Sequence, residues 1–294
     1  MNLRTLSRFY LTLLGGWWLS TGTSSLALDL GVARIDVTPG VPIRLTGYAS
    51  RKTNSAGVEQ KLWAKALALG SDQAGPAVLV TLDNCGIAEE TYRQVARRLA
   101  QSGHLPPDRL VIACSHTHCG PCTTRWAPNI FAQDIPADQL AVIDRYTREL
   151  VDKLEQVALA ALRHRRPGKL SWAQGSVGFA RNRRVVVGST AQFGDNATGP
   201  VDPALPVLRV TDDQGHLRAL VANYACHCTT LGGEFNRACG DWAGYAQEAL
   251  ERDHPGAVAL ITIGCGADAN PAPRGGPSLR RALWRSRDLP GPCH

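Results

Sequence analysis

Between Gly31 and Val37 apolar and polar side chains alternate before the stop Thr38-Pro39-Gly40, the pattern of a half-buried strand entering a turn. Leu62 to Leu69 and Ala77 to Leu82 are apolar runs of strand length. The period then changes: from Glu89 to Gln101 the residues Tyr92, Val95, Ala96 and Leu99 recur at helical spacing. Arg109 to Cys114 is again a short apolar strand, and it runs directly into Ser115-His116-Thr117-His118. Asp138 to Arg163 predicts a long amphipathic packing helix whose stripe carries Leu140, Ile143, Tyr146, Leu150, Leu154, Val157 and Leu162, and it ends before Pro167-Gly168. Strands follow at Leu170 to Phe179, Pro206 to Thr211 and Leu217 to Ala225, the last two joined as a hairpin by the turn-rich Asp212-Asp213-Gln214-Gly215. Asp241 to Arg252 reads as a helix and Ala257 to Ile263 as a buried strand opening into Gly264-Cys265-Gly266. Strand, helix and strand in this rhythm make an α/β domain, with no internal repeat and no low-complexity linker.

The 294 residues, 44% of them hydrophobic, allow one large domain or two small ones with a substantial core. The net charge of +7 does not indicate nucleic acid, because Arg165-Arg166, Arg183-Arg184 and Arg280-Arg281 are scattered doublets without interleaved aromatics. Residues 1–27 read as a signal peptide: Arg4 and Arg8, an apolar run from Phe9 to Leu19, and small residues ending at Ser25-Leu26-Ala27. The expectation is a secreted or periplasmic protein; a retained anchor is the alternative, against which the run is shorter than the roughly 20 residues a spanning helix needs. The domain itself is expected over residues 28–274. Residues 275–294 form an irregular tail of breakers and arginines without periodicity, expected to be a premature or frame-altered ending, with a flexible native tail as the alternative.

Candidate chemistry gathers at two strand ends. Alternation puts His116 and His118 on one face, and neutral imidazoles presented beside a glycine-containing loop suit zinc; two unrelated surface or core histidines are the plainer explanation. His227 follows a second predicted strand, and if it faces a cleft then Cys226 and Cys228 point away into packing or a disulfide. Nine cysteines in an exported chain ordinarily imply disulfides, yet several here crowd the histidines, so metal ligation and simple burial compete with pairing. Cys119-Gly120-Pro121-Cys122 has the form of a redox dithiol, but no helix pattern follows at once.

Six stretches, in order, carry a resemblance: Gly31 to Gly40; Ser115-His116-Thr117-His118-Cys119-Gly120-Pro121; Ala180-Arg181-Asn182-Arg183; Cys226-His227-Cys228-Thr229-Thr230; Gly240-Asp241-Trp242-Ala243-Gly244-Tyr245; and Gly266-Ala267-Asp268-Ala269-Asn270-Pro271. Together they resemble the N-terminal catalytic domain of the neutral/alkaline non-lysosomal ceramidase family. The resemblance implies mixed β-sheets packed together with flanking helices, and a zinc-dependent amidohydrolase that cleaves an amide (N-acyl) bond. It implies that His116 and His227 are metal ligands for Zn2+, that His118 sits beside the attacking water and the scissile carbonyl, and that Arg183 holds the substrate or the developing oxyanion. Zinc acidifies water and a nearby cation stabilises a tetrahedral oxygen, so these roles agree with the chemistry. The implied partner is an N-acylated, lipid-like small molecule, a substrate compatible with peripheral membrane contact. Asp241 is set aside as a helix N-cap.

This sequence departs from the family pattern in two places. Asn270 stands where the family has a serine with a catalytic role; an amide is no nucleophile, but it can orient water or bind a substrate amide. The family also completes its zinc sphere with a glutamate and a tyrosine that follow this segment, so weak metal binding and reduced activity are expected of the chain as given. The rivals are a non-catalytic binding protein or inactive fragment retaining part of a metal site, and a cysteine-based redox protein working through Cys119 and Cys122.

Overall fold

The computed structural model describes residues 26–275. Most of the predicted leader and nearly all of the predicted tail lie outside the described residues, though Leu26 and Ala27 are already strand, paired with Leu170 and Lys169. Along the chain the elements are β1 (Leu26–Asp36), β2 (Trp63–Leu69), β3 (Ala77–Leu82), α1 (Glu89–Ser102), β4 (Leu110–Cys114), α2 (Ala137–Arg163), β5 (Arg166–Ser176), β6 (Ala180–Val187), β7 (Thr190–Asn196), β8 (Ala204–Asp212), β9 (Leu217–Tyr224), α3 (Asp241–Asp253), β10 (Val258–Ile263) and β11 (Ala269–Pro271). Eight strands form one mixed sheet in the order β10-β9-β8-β5-β1-β2-β3-β4, and β11-β6-β7 form a small second sheet. The expected hairpin is present, with β8 and β9 antiparallel. Three strands were not foreseen: β6 and β7 are rich in polar and exposed residues, and β11 has only three residues, so none carries an alternating apolar signal.

The sheet is buried on both faces, and the alternation along β2 shows how. Ala64, Ala66 and Ala68 join one core with Val78, Val80 and Leu82 of β3 and the apolar stripe of α2, which runs through Ile143, Leu150, Leu154, Val157 and Ala161. Leu67, from the opposite face of β2, joins Leu30, Val210, Val221 and Leu260 in a second core. Leu260 belongs to β10, at the far end of the strand order, so the sheet folds over until its two halves pack against each other. The packed layers are therefore halves of one continuous sheet, with α1 and α2 outside one half and α3 against β10.

Two parallel pairs lie at the edges of the sheet: β3 with β4, and β9 with β10. Each is a βαβ unit, closed by α1 and α3 respectively. The fold-over brings these edges together, so the loops leaving their carboxyl ends meet. Ligand-binding groups in α/β sheets collect at such strand ends.

One charged group is trapped in this layer. Lys65, 1% exposed, points from β2 between the halves, where Nζ donates to Glu251 Oε1 (2.6 Å) and to the Ala259 carbonyl (2.9 Å). Burial pulls its pKa below the ordinary lysine value, and the neighbouring Asp83 and Glu251 carboxylates oppose that shift. Removing one partner of a buried pair costs about 3–5 kcal/mol because the other charge stays buried and uncompensated. Glu251→Ala should therefore lose about 3 kcal/mol of unfolding free energy in urea, more than an exposed control such as Glu89→Ala.

Candidate metal centre

His116 lies in the loop after β4, and His227 in the loop after β9. Strand alternation is not what brings the histidines together, since His116 has a left-handed backbone (φ 57°) just past the end of β4. The rings nonetheless converge, with centroids 4.7 Å apart for His116 and His227, 5.1 Å for His116 and His118, and 5.4 Å for His118 and His227. Each strand-end histidine is oriented by the carbonyl of the loop beside it. His116 Nδ1 lies 2.7 Å from the Cys85 carbonyl, in the loop after β3, and His227 Nδ1 lies 2.8 Å from the Gly266 carbonyl, in the loop after β10. A carbonyl only accepts, so both Nδ1 atoms carry the proton and both Nε2 atoms present lone pairs.

Those two Nε2 atoms face each other at 3.2 Å. Two lone pairs at that distance repel unless a cation or a shared proton lies between them. Two nitrogens bound at about 2.05 Å to one tetrahedral zinc lie roughly 3.3 Å apart, so the pair fits such an ion. The His118 ring lies beside this pair, and its Nδ1 is buried and without a hydrogen-bond partner. Burial first, then the neighbouring His116, His227 and Arg183, lower the His118 pKa to about 3, and burial lowers that of His227 to about 4, so both are neutral at pH 7. Neutral imidazole is the form that holds a metal or accepts a proton.

Nothing local to Cys85 singles it out, yet its Sγ lies 3.7 Å from His116 Nδ1, and donor atoms of Cys85, His116 and His118 all fall within 4.8 Å of one another. That grouping excludes His227. His116 Nδ1 is already bonded to a carbonyl and burial holds the Cys85 thiol protonated, far above its usual range, which leaves the facing Nε2 atoms of His116 and His227 as the open donors.

Arg183, of β6, closes the third side. Its Nη2 lies 3.1 Å from His227 Nε2 and 2.8 Å from the Ala267 carbonyl, while Nη1 donates to Asn270 Oδ1 (3.1 Å). Asn270 Oδ1 also accepts from Thr229 Oγ1 (3.0 Å), which fixes the amide in the group. All five residues singled out in the sequence are thus brought together.

Other expectations change. Asp241 is not an N-cap: Gly240 holds that position, and the buried Asp241 carboxylate accepts from the backbone of Thr230 (3.0 Å), Leu231 (3.0 Å) and Trp242 (2.6 Å), tying the loop after His227 to α3. Cys226 and Cys228 point into the core beside Trp242, as predicted for residues flanking an inward histidine. Cys119 and Cys122 are not joined, and they pack in separate clusters, Cys122 with the main core and Cys119 with Leu231 and Cys239. Both thiols are buried, and burial pushes the Cys122 pKa up to about 12, the opposite of a reactive redox thiol.

A wall missed by the sequence reading lies at residues 46–51. Tyr48 packs edge-on against His118 (4.9 Å) and donates to the Leu231 carbonyl (2.6 Å). The buried Arg51 guanidinium is solvated by the carbonyls of Thr46, His118 and Phe235. Gly47, at φ 92°, leaves no room for a side chain, since a Cβ there would sit 2.5 Å from His118 Cγ. A glycine before an aromatic in a predicted loop was the only hint of this wall.

The N-terminal model of the neutral/alkaline non-lysosomal ceramidases matches residues 28–262. This chain belongs to that family. It is 23% identical to the neutral ceramidase of Pseudomonas aeruginosa over 233 residues, 78% of this chain and 34% of that protein. It is 24% identical to the neutral ceramidase of Drosophila melanogaster over 248 residues, 79% of this chain and 33% of the relative. The fold superposes on the crystal structure of the Pseudomonas aeruginosa neutral ceramidase with a TM-score of 0.69 at 23% identity, covering 86% of this chain and 41% of that one. A ceramidase complexed with C2 gives the same TM-score at 22% identity, covering 84% of this chain and 39% of the other. The chain thus spans about a third of the length of the relatives it matches.

Backbone contacts orient the histidines, so glycine substitutions test the site more cleanly than deletion of a ligand. A Cβ on Gly266 would sit 2.5 Å from the Cys226 nitrogen, forcing the carbonyl that orients His227 to move. Gly266→Ala and Gly47→Ala should both leave a folded chain by circular dichroism. Loss of an outer-shell partner weakens metal binding about 10–100-fold, and metal titration of Gly266→Ala should show a loss of that order.

Proposed function

We propose that this chain carries the catalytic core of a zinc-dependent hydrolase that cleaves the amide bond of N-acylated, lipid-like substrates, and that it is exported by its N-terminal leader. Family membership supports amide hydrolysis, and the opposed Nε2 lone pairs of His116 and His227 at 3.2 Å are the observation that supports the metal. His116 and His227 would hold Zn2+, which when bound supplies Lewis acidity and a water acidic enough to react near neutral pH.

The remaining steps fall to the chain's own side chains. His118, neutral and with an unpartnered buried Nδ1, is placed to take a proton from the attacking water. With the His227 lone pair engaged by a metal, the Arg183 Nη2–H that faces it is left to donate to the carbonyl oxygen as negative charge develops there. Asn270 cannot serve as a nucleophile, and its Oδ1 is already held by Arg183 and Thr229, so its amide nitrogen is the group left to orient water or a substrate carbonyl. Attack by water without a covalent intermediate on the protein follows from that substitution.

The same substitution favours a second reading, a binding protein that keeps the fold and the metal but has lost turnover. Metal analysis and an N-acyl amide assay separate the two. The purified chain should carry about one zinc, and His116→Ala and His227→Ala should each lose it while retaining native circular dichroism. Arg183→Ala should keep the metal and lower kcat by about 10²- to 10³-fold. Zinc retained with no turnover on a panel of N-acyl amides would select the binding protein; turnover unaffected by both histidine substitutions would end the metal reading.

A further inference from the structure

Beside the histidines lies an open cavity of about 450 Å³ whose lining includes Arg181, Arg183, Phe193, Asp195, Asn270 and Arg274. Its charge is one-sided: three guanidinium groups face one carboxylate, and that carboxylate, Asp195, is already paired with Arg181. Neither Arg183 nor Arg274 forms an ion pair with any described residue, and neither does the adjacent Arg184. Arg183 and Arg184 instead lie over the exposed ring of Phe193, at 5.1 and 4.3 Å from its centroid. Arg274 is anchored through Nε to the Thr229 carbonyl (2.8 Å), beside the Tyr48 ring that packs on His118. Arg183 belongs to both places, since it lines the cavity and touches His227.

We propose that this cavity binds an anionic oxyacid group, a carboxylate or phosphate, carried by the substrate a few bonds from the amide. The inference rests on the hydrolase reading and narrows it: the amide has an acidic neighbour and is not a wholly neutral lipid. Guanidinium groups outside any protein ion pair, set around a cavity, present forked N–H donors that match carboxylate and phosphate oxygens. The Phe193 ring offers an apolar edge to the carbon chain next to that group.

The test compares matched pairs on the full metal-bearing chain, by stopped-flow tryptophan fluorescence before turnover. The probes are N-octanoylglycine against N-octanoylglycinamide, N-octanoyl-phosphoethanolamine against N-octanoylethanolamine, and inorganic phosphate alone. In at least one pair the acid should bind about tenfold tighter than its neutral partner. Arg274→Gln should shrink that preference to below about threefold without weakening the neutral compound. Asp195→Asn, which removes the one carboxylate lining the cavity, should tighten the acid by about two- to threefold, a change that misfolding does not imitate. Equal binding within both pairs, or a preference that neither variant moves, overturns the proposal; inorganic phosphate binding as tightly as the acids overturns its assignment to the substrate. Parallel product analysis separates the two levels. An acid preference without hydrolysis sinks the hydrolase and leaves an anion-binding cavity, whereas hydrolysis of the neutral amides without preference keeps the hydrolase and rejects the acidic substrate.

Discussion

The site depends on the closure of one eight-stranded sheet onto itself. Its edges are parallel pairs, β3 with β4 and β9 with β10, and closure brings their carboxyl ends together. Each edge contributes one histidine and the carbonyl that orients it: His116 from the loop after β4 with Cys85 from the loop after β3, and His227 from the loop after β9 with Gly266 from the loop after β10. Two imidazoles separated by 111 positions in sequence are thereby set with their Nε2 atoms 3.2 Å apart. Because the orienting groups are main-chain carbonyls, the tautomers depend on the path of the backbone.

Several buried polar groups serve that closure. Lys65 and Glu251 link β2 to α3 across the layer, and Asp241 gathers three backbone N–H groups so that the segment after His227 stays fastened to its helix. On the other side, Arg51 collects three carbonyls and holds the Tyr48 segment against His118. Buried ionic groups contribute little net stability compared with apolar packing, but once made they leave few alternative arrangements, because breaking any one strands a charge. The apolar cores hold the layers together, and the polar contacts set the angle at which the histidine loops meet.

The second sheet has a different task. β6 brings Arg183 to His227, and β11 brings Asn270 to Arg183, so the three-stranded unit closes the histidine cluster and forms the wall of the arginine-lined cavity. Its outer surface is open, with Val186 and Phe193 about three-quarters exposed, at 75% and 74%. Arg183 is the residue common to the cavity and the histidine cluster, lining the one and touching His227 of the other.

Much of this was legible in the sequence. Apolar periodicity located the helices and eight of the strands, because a strand or helix buried on one face must repeat at its own period. The ordered motifs named His116, His118, Arg183, His227 and Asn270, and placing Cys226 and Cys228 opposite His227 needed only alternation. Local sequence could not show β6, β7 and β11, whose polar strands are held by pairing and by contact with the site. Nor could it show that Cys119 and Cys122 pack into different cores, that Asp241 serves the backbone of another segment, or that Gly47 and Tyr48 wall off His118. Each of these follows from contacts between segments remote in sequence. The sequence by itself determined which residues have metal-binding and proton-accepting chemistry; only the tertiary structure decided which lone pairs face one another, because that depends on how the sheet closes.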